Sequence, residues 1–279
     1  MNSKLIMIEG IPGSGKTTTA KKVSELLTSI NVKNQLFLEG NANHPADYES
    51  TACLSEDHYN SLLEKYSEGK DIIESYVTKK KSFSFIPYGK MSTEAVGLPE
   101  ALLQELGSND VYNLPLETYC DVILERWEEF AEKAKNDDTV YIFECAFLQN
   151  PLCVLTARDD RPYPEISDFY SKFTEILTSL NPVLITINQS NTEETIDRIR
   201  KERSQDWFDF ITWYYTQQSF GKNRGLNGYD GVIAYLDYRK ETEALLLASF
   251  PFSKLHYDNS SYDWDKMSTE IERFIKEYM

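Results

Sequence analysis

Between residues 10 and 17 the chain reads Gly-Ile-Pro-Gly-Ser-Gly-Lys-Thr, a match to G-x-x-x-x-G-K-[ST] that few folds can carry. Its glycines let successive backbone N–H groups turn inward around an anion. The loop therefore needs a strand before it and a helix after it, whose positive dipole end meets the same charge. Both neighbours are present: KLIMIE at 4–9 is a short apolar run, and residues 15–30 place Ala20, Val23, Leu26, Leu27 and Ile30 at helical spacing. Gly10, Gly13, Ser14, Gly15, Lys16, Thr17 and Thr18 are thus the expected phosphate-binding residues. Lys16 is expected to reach the β and γ phosphates of ATP, and the Thr17 hydroxyl to coordinate Mg²⁺.

Four more apolar runs read as buried parallel strands: QLFLE at 35–39, TVYIFE at 139–144, PVLITIN at 182–188 and SKLHY at 253–257. Helical patterns cover 165–180, 192–218, 229–248 and 263–278. The alternation predicts an α/β fold, a five-stranded parallel sheet wrapped by helices on both faces. The hundred or so residues between the second and third strands are too many for one crossover. They are expected to form a large, mainly helical insertion at 41–135, with helical patterns near 57–76, 98–107 and 115–135, set into a nucleotide-binding core of 1–40 and 136–279. The insertion also carries the basic and aromatic stretch KKKSFSFIPYGK.

Charge and composition narrow the function. Lys plus Arg number 29 against 45 Asp plus Glu, a net charge of −16 that opposes the counterion release driving nucleic-acid binding. No run of 18 apolar residues and no secretory leader pattern is present, so the sequence is expected to be cytoplasmic with no membrane partner. Four cysteines without C-x-x-C spacing and three histidines offer no zinc set. The chain has no N-K-x-D for guanine and no apolar run ending Asp-Glu, which disfavours signalling GTPases and large ATPase motors. The kinase branch remains, with an acid at a neighbouring strand end and arginines from a late helix around the transferred phosphoryl group.

IEGIPGSGKTTTAKKV resembles the phosphate loop of thymidylate kinases and deoxynucleoside kinases, in which a glutamate, here Glu9, commonly precedes the first glycine. ETIDRIRKERSQDW is similar to their lid, whose arginines close on the phosphates. LHYDNSSYDWDKMSTEI resembles the last strand, adenine-contacting loop and final helix of the thymidylate kinases, which implies nucleotide contacts for Asp258 and Asn259. Departures accompany the resemblance. The third strand ends Glu144-Cys145-Ala146, which keeps the acid but lacks the arginine those families carry next to it. Glu39-Gly40-Asn41 follows the second strand where deoxynucleoside kinases carry Glu-Pro.

Glu39, at a carboxyl strand end, is expected to take or hold an acceptor hydroxyl proton, with a helix cap or solvated carboxylate as the alternative. Glu144 is expected to meet the phosphate-site Mg²⁺, or else a nearby arginine. Arg200 and Arg203 lie three apart on the lid helix with Arg198 close by, as donors to the phosphoryl group or as part of a solvated face. Arg158 and Arg161, in a loop-like TARDDRP, are candidates to replace the missing arginine. The aromatic run at 207–215 reads mostly as core, His44 as an acceptor-pocket or turn residue, and Lys79, Lys80 and Lys81 as a solvated loop. The sequence thus points to an ATP- and Mg²⁺-dependent kinase for a small-molecule acceptor, a nucleoside, a nucleotide or another hydroxylated metabolite or antibiotic. Its rivals are a P-loop ATPase that works as a regulatory switch with a protein partner and a 5′-hydroxyl kinase for polynucleotides, the latter opposed by the charge.

Overall fold

The computed structural model describes residues 3–95 and 97–279. In chain order its strands are β1 (Leu5–Gly10), β2 (Asn34–Phe37), β3 (Ala52–Ser55), β4 (Thr78–Lys80), β5 (Phe83–Ile86), β6 (Val140–Glu144), β7 (Val183–Asn188) and β8 (Ser253–Asp258). The chain divides into two compact units, one running up to Glu39 and resuming at Trp127, the other spanning Gly40–Arg126.

The first unit holds a five-stranded sheet in the order β2-β6-β1-β7-β8, with every pairing parallel. β1 lies at its centre and is buried along its whole length, as an apolar strand covered on both faces must be. On one face the helices Lys16–Ser29 and Trp264–Lys276 bring Ala20, Val23, Leu27, Met267, Ile271 and Ile275 against Ile6, Ile8, Ile142 and Ile185. Met267, Ile271 and Ile275 recur every fourth residue, so one stripe of the last helix seals that face. Elsewhere in the unit Trp127 and Phe130 stand at 5.5 and 4.9 Å from the Phe143 ring. These two rings explain why the core resumes within the helix Leu116–Ala134 and not after residue 135, the boundary expected from sequence.

The expected helix at 192–218 is broken into Thr192–Glu202 and Gln205–Thr216. Arg203 is extended, and the Ser204 hydroxyl accepts the Trp207 N–H at 3.2 Å, so a new helix starts on its own cap. The stretch after β6 is helical, with Gln149–Cys153 followed by a π-helical turn at Val154–Arg158.

The second unit is rich in helix but also contains a three-stranded antiparallel sheet, ordered β3-β5-β4. KKKSFSFIPYGK supplies two of its strands, joined by a turn in which Lys81 has φ +49°. Leu54, Tyr59, Leu62, Ile73, Ile86, Met91, Leu102 and Leu106 form its core. The lysine triplet is partnered: Lys79 lies over the Tyr59 ring, Lys80 donates to Tyr48 Oη at 3.3 Å, and Lys81 pairs with Glu125 at 3.0 Å. His44 is buried, and its Nδ1 accepts the Ala46 N–H at 3.2 Å; burial pushes its pKa down to about 4. No helix among the described residues is long and apolar enough to cross a membrane.

Candidate active site

Residues 10–17 leave the carboxyl end of the central strand and run into the helix Lys16–Ser29, the geometry that the motif requires. At Gly10 (φ +153°) a side chain would put its Cβ 2.5 Å from Ile187 O and 2.7 Å from Ser14 Oγ. At Gly15 (φ +106°) it would stand 2.7 Å from the Trp264 ring and 2.9 Å from Asn259 Nδ2. Only glycine fits either position. Ser14 is buried, and its Oγ has no hydrogen-bond partner among the described residues. Lys16 is buried and donates from Nζ to Ile11 O at 3.1 Å; burial works against its charge, but acidic groups that include Glu39 and Glu144 hold its pKa above the ordinary value. Thr17 and Thr18 are exposed at the helix start.

Glu144 links three strand ends. Its Oε1 accepts the Thr17 hydroxyl at 2.6 Å, and its Oε2 accepts the Glu39 N–H at 3.3 Å. Glu39 is exposed, just past β2, and its Oε1 accepts Gln149 Nε2 at 2.5 Å. Glu39, Glu144 and Cys145 each offer one ligand atom within 4.8 Å of the others. Cys145 is a buried non-glycine residue at φ +68°, a strained conformation worth about 1–2 kcal/mol. Burial pushes its thiol well above the ordinary range.

Asn259 and Asp258 end β8 differently. Asn259 is fully buried under the loop: its Nδ2 donates to Ser14 O at 2.9 Å, and Gln189 Nε2 donates to Asn259 O at 3.0 Å and to Ser14 O at 3.3 Å. The Tyr262 hydroxyl adds a bond to Gly13 O at 2.8 Å. Asp258 is exposed and accepts the Ser260 N–H at 2.9 Å. Of the lid arginines, Arg198 is brought to the loop, with its guanidinium 3.6 Å from the Tyr262 ring and its Nη1 buried without a partner among the described residues. Arg200 lies over the Phe208 and Tyr229 rings at 4.1 and 5.2 Å, and Arg203 is exposed in the break between the two helices. Arg158 pairs with Asp159 at 2.5 Å and Arg161 with Glu165 at 2.9 Å.

Two further buried groups, Glu9 and Arg239, support the site. Glu9, fully buried, accepts the N–H groups of Phe147 and Leu148 on Oε1, both at 2.9 Å, and that of Gln149 on Oε2 at 3.0 Å. Burial pushes its pKa up to about 7, against the pull of those N–H groups. Arg239, also fully buried, donates to Gly10 O at 3.2 Å and to Glu243 Oε1 at 2.7 Å. Sequence reasoning passed over Arg239, Glu243 and Gln149. An Arg-x-x-x-Glu spacing on a helix reads as an exposed ion pair, and a lone glutamine gives no signal.

A glycine-walled loop between the central strand and its helix, with an acid on the adjoining strand bonded to the loop threonine, fixes the architecture. The fold is P-loop-like. No family model and no curated protein matches the chain. Among solved structures it is similar to a GTPase of Pyrococcus abyssi in its apo form, at 18% identity over 97% of this chain and 98% of that one, with a TM-score of 0.24.

Divalent-cation chemistry fits the donors around Glu144. If this carboxylate serves Mg²⁺, Glu144→Gln is expected to raise the Mg²⁺ concentration needed for nucleotide binding by about tenfold or more. Calorimetric titrations of ATP at several Mg²⁺ concentrations test this; an unchanged requirement would remove Glu144 from the metal site.

Proposed function

We propose that this chain is an ATP- and Mg²⁺-dependent phosphotransferase that delivers the γ-phosphoryl group to a hydroxyl or phosphate of a small molecule, nucleoside- or nucleotide-like or another hydroxylated metabolite or antibiotic. One observation carries the reading: the Thr17 hydroxyl and Glu144 meet at 2.6 Å at the head of the loop, with Glu39 bonded to the same carboxylate. The cradle supports nucleotide binding, since Gly10 and Gly15 leave no room for side chains and Ser14 Oγ lacks a partner among the described residues. Bound Mg²⁺, held by Thr17 and Glu144, would neutralise phosphate charge. Lys16 and the loop N–H groups would orient the β and γ phosphates, and Arg198, Arg200 and Arg203 would supply lid cations. Asp258 and Asn259 complete the nucleotide side, Asn259 by bracing the loop.

Glu39 would hold the acceptor and take its proton. Acceptor choice falls to residues 40–126, which the chain inserts directly after Glu39. The net charge of −16 speaks against a polynucleotide acceptor. The test is phosphate transfer from γ-labelled ATP to a library of nucleosides, nucleotides and aminoglycoside-like compounds. Steady hydrolysis that depends on a protein partner, with no acceptor phosphorylated, would replace this reading with a switch. In the same assay Lys16→Ala is expected to weaken ATP binding by about 10- to 150-fold, the worth of one charge-assisted contact. Unchanged affinity in a folded variant would sink the nucleotide assignment.

A further inference from the structure

We propose that Gln149 is the residue that positions Glu39, and that the pair selects an acceptor hydroxyl over an acceptor phosphate; this rests on the phosphotransferase reading above. Gln149 opens the short helix after β6, and its own N–H is fixed by the buried Glu9 carboxylate at 3.0 Å. Its side chain is 8% exposed and places Nε2 2.5 Å from Glu39 Oε1. The amide orientation is set by this contact, because a flipped amide would press its oxygen onto a carboxylate oxygen. Gln149 Oε1 is then left buried with no partner among the described residues. A glutamine kept only for packing would be better replaced by an apolar side chain, so the orphaned carbonyl is tolerated for the donor on the other side of the amide.

Glu39 thus arrives oriented, and its surroundings decide what it can orient. Glu144 and Cys145 each bring a ligand atom within 4.8 Å of it, and Arg158 and Arg161, which follow β6, are tied to Asp159 and Glu165. An acceptor phosphate would bring two negative charges to two carboxylates while the arginines that follow β6 are paired with other acids, whereas a hydroxyl brings a donor that a carboxylate wants. In the step so defined, the acceptor O–H gives its proton to Glu39 and its oxygen bonds to the γ-phosphorus of ATP. The bond from that phosphorus to the bridging oxygen breaks, and ADP leaves with the electron pair.

The test uses the full chain with Mg²⁺ and γ-¹⁸O-labelled ATP, and a deproteinised small-molecule cell extract as the source of acceptors. Phosphorus NMR then classes the labelled product. A phosphate monoester is expected; a new phosphoanhydride would overturn the hydroxyl assignment and leave phosphoryl transfer standing, whereas no product of either kind from an ATP-bound protein would remove the phosphotransferase reading itself. Gln149→Leu is expected to bind ATP as the parent does and to form the monoester about 100-fold more slowly, the usual effect of a misplaced catalytic group. In a Glu39→Gln background the same substitution is expected to cost nothing further. An equal loss in both backgrounds would mean that Gln149 does not act through Glu39. Gln149→Met gives the same comparison should the leucine variant fail to fold.

Discussion

Glu39→Gln is expected to slow phosphoryl transfer by about 100- to 10,000-fold, the range for removing a positioned acid or base. ATP affinity is expected to stay near that of the parent. The two effects are expected to separate because the Glu39 N–H, which donates to Glu144 Oε2 at 3.3 Å, survives the substitution, and Lys16 keeps the Glu144 charge beside it. In the proposed reaction its side chain serves the acceptor: one oxygen is taken by Gln149, and the other would take the proton. Single-turnover transfer measured alongside equilibrium ATP binding checks the split. A variant that transfers at the parent rate leaves Glu39 without a chemical role.

Arg239→Met is expected to destabilise the fold by about 3–5 kcal/mol, a large share of an ordinary domain's stability. The guanidinium is fully buried, so its partners have no water to fall back on. Gly10 O loses a donor, Glu243 loses its counter-ion, and Glu9 loses a neighbouring positive charge. The companion variant with Glu243→Leu is expected to recover part of the loss, because the uncompensated carboxylate goes with it. Urea midpoints of parent, single and double variants decide. A single variant as stable as the parent would mean that Arg239 only fills space.

The five parallel strands were legible because burial on both faces forces unbroken apolar runs, and β1, β6, β7 and β8 begin within one residue of those runs. The loop was legible because its chemistry needs glycines at fixed places. β3, β4 and β5 were not: strands of three or four residues such as Thr78–Lys80 carry too few side chains to display a period. The break at Ser204 hid inside a continuous apolar rhythm, although a serine before Gln-Asp-Trp is an ordinary cap. Within the site, the residues bonded to phosphate-loop atoms from far along the chain left the weakest trace. Arg239 reaches Gly10 O and Gln149 reaches Glu39 through contacts set by tertiary structure, and spacing along a helix says nothing of what lies opposite.

Asn259 and Ser14, joined across 245 residues, tie the loop to the order in which the polypeptide is made. A ribosome synthesising this chain produces Ser14 245 residues before Asn259. The loop carbonyls at Gly13 and Ser14 wait for Tyr262, Asn259 and Gln189, and the ring that closes against Gly15 belongs to Trp264. A nascent chain halted before residue 259 therefore carries the motif without its braces. The loop is in this sense completed late, once β8 and the helix Trp264–Lys276 have been translated, and not when the motif first appears.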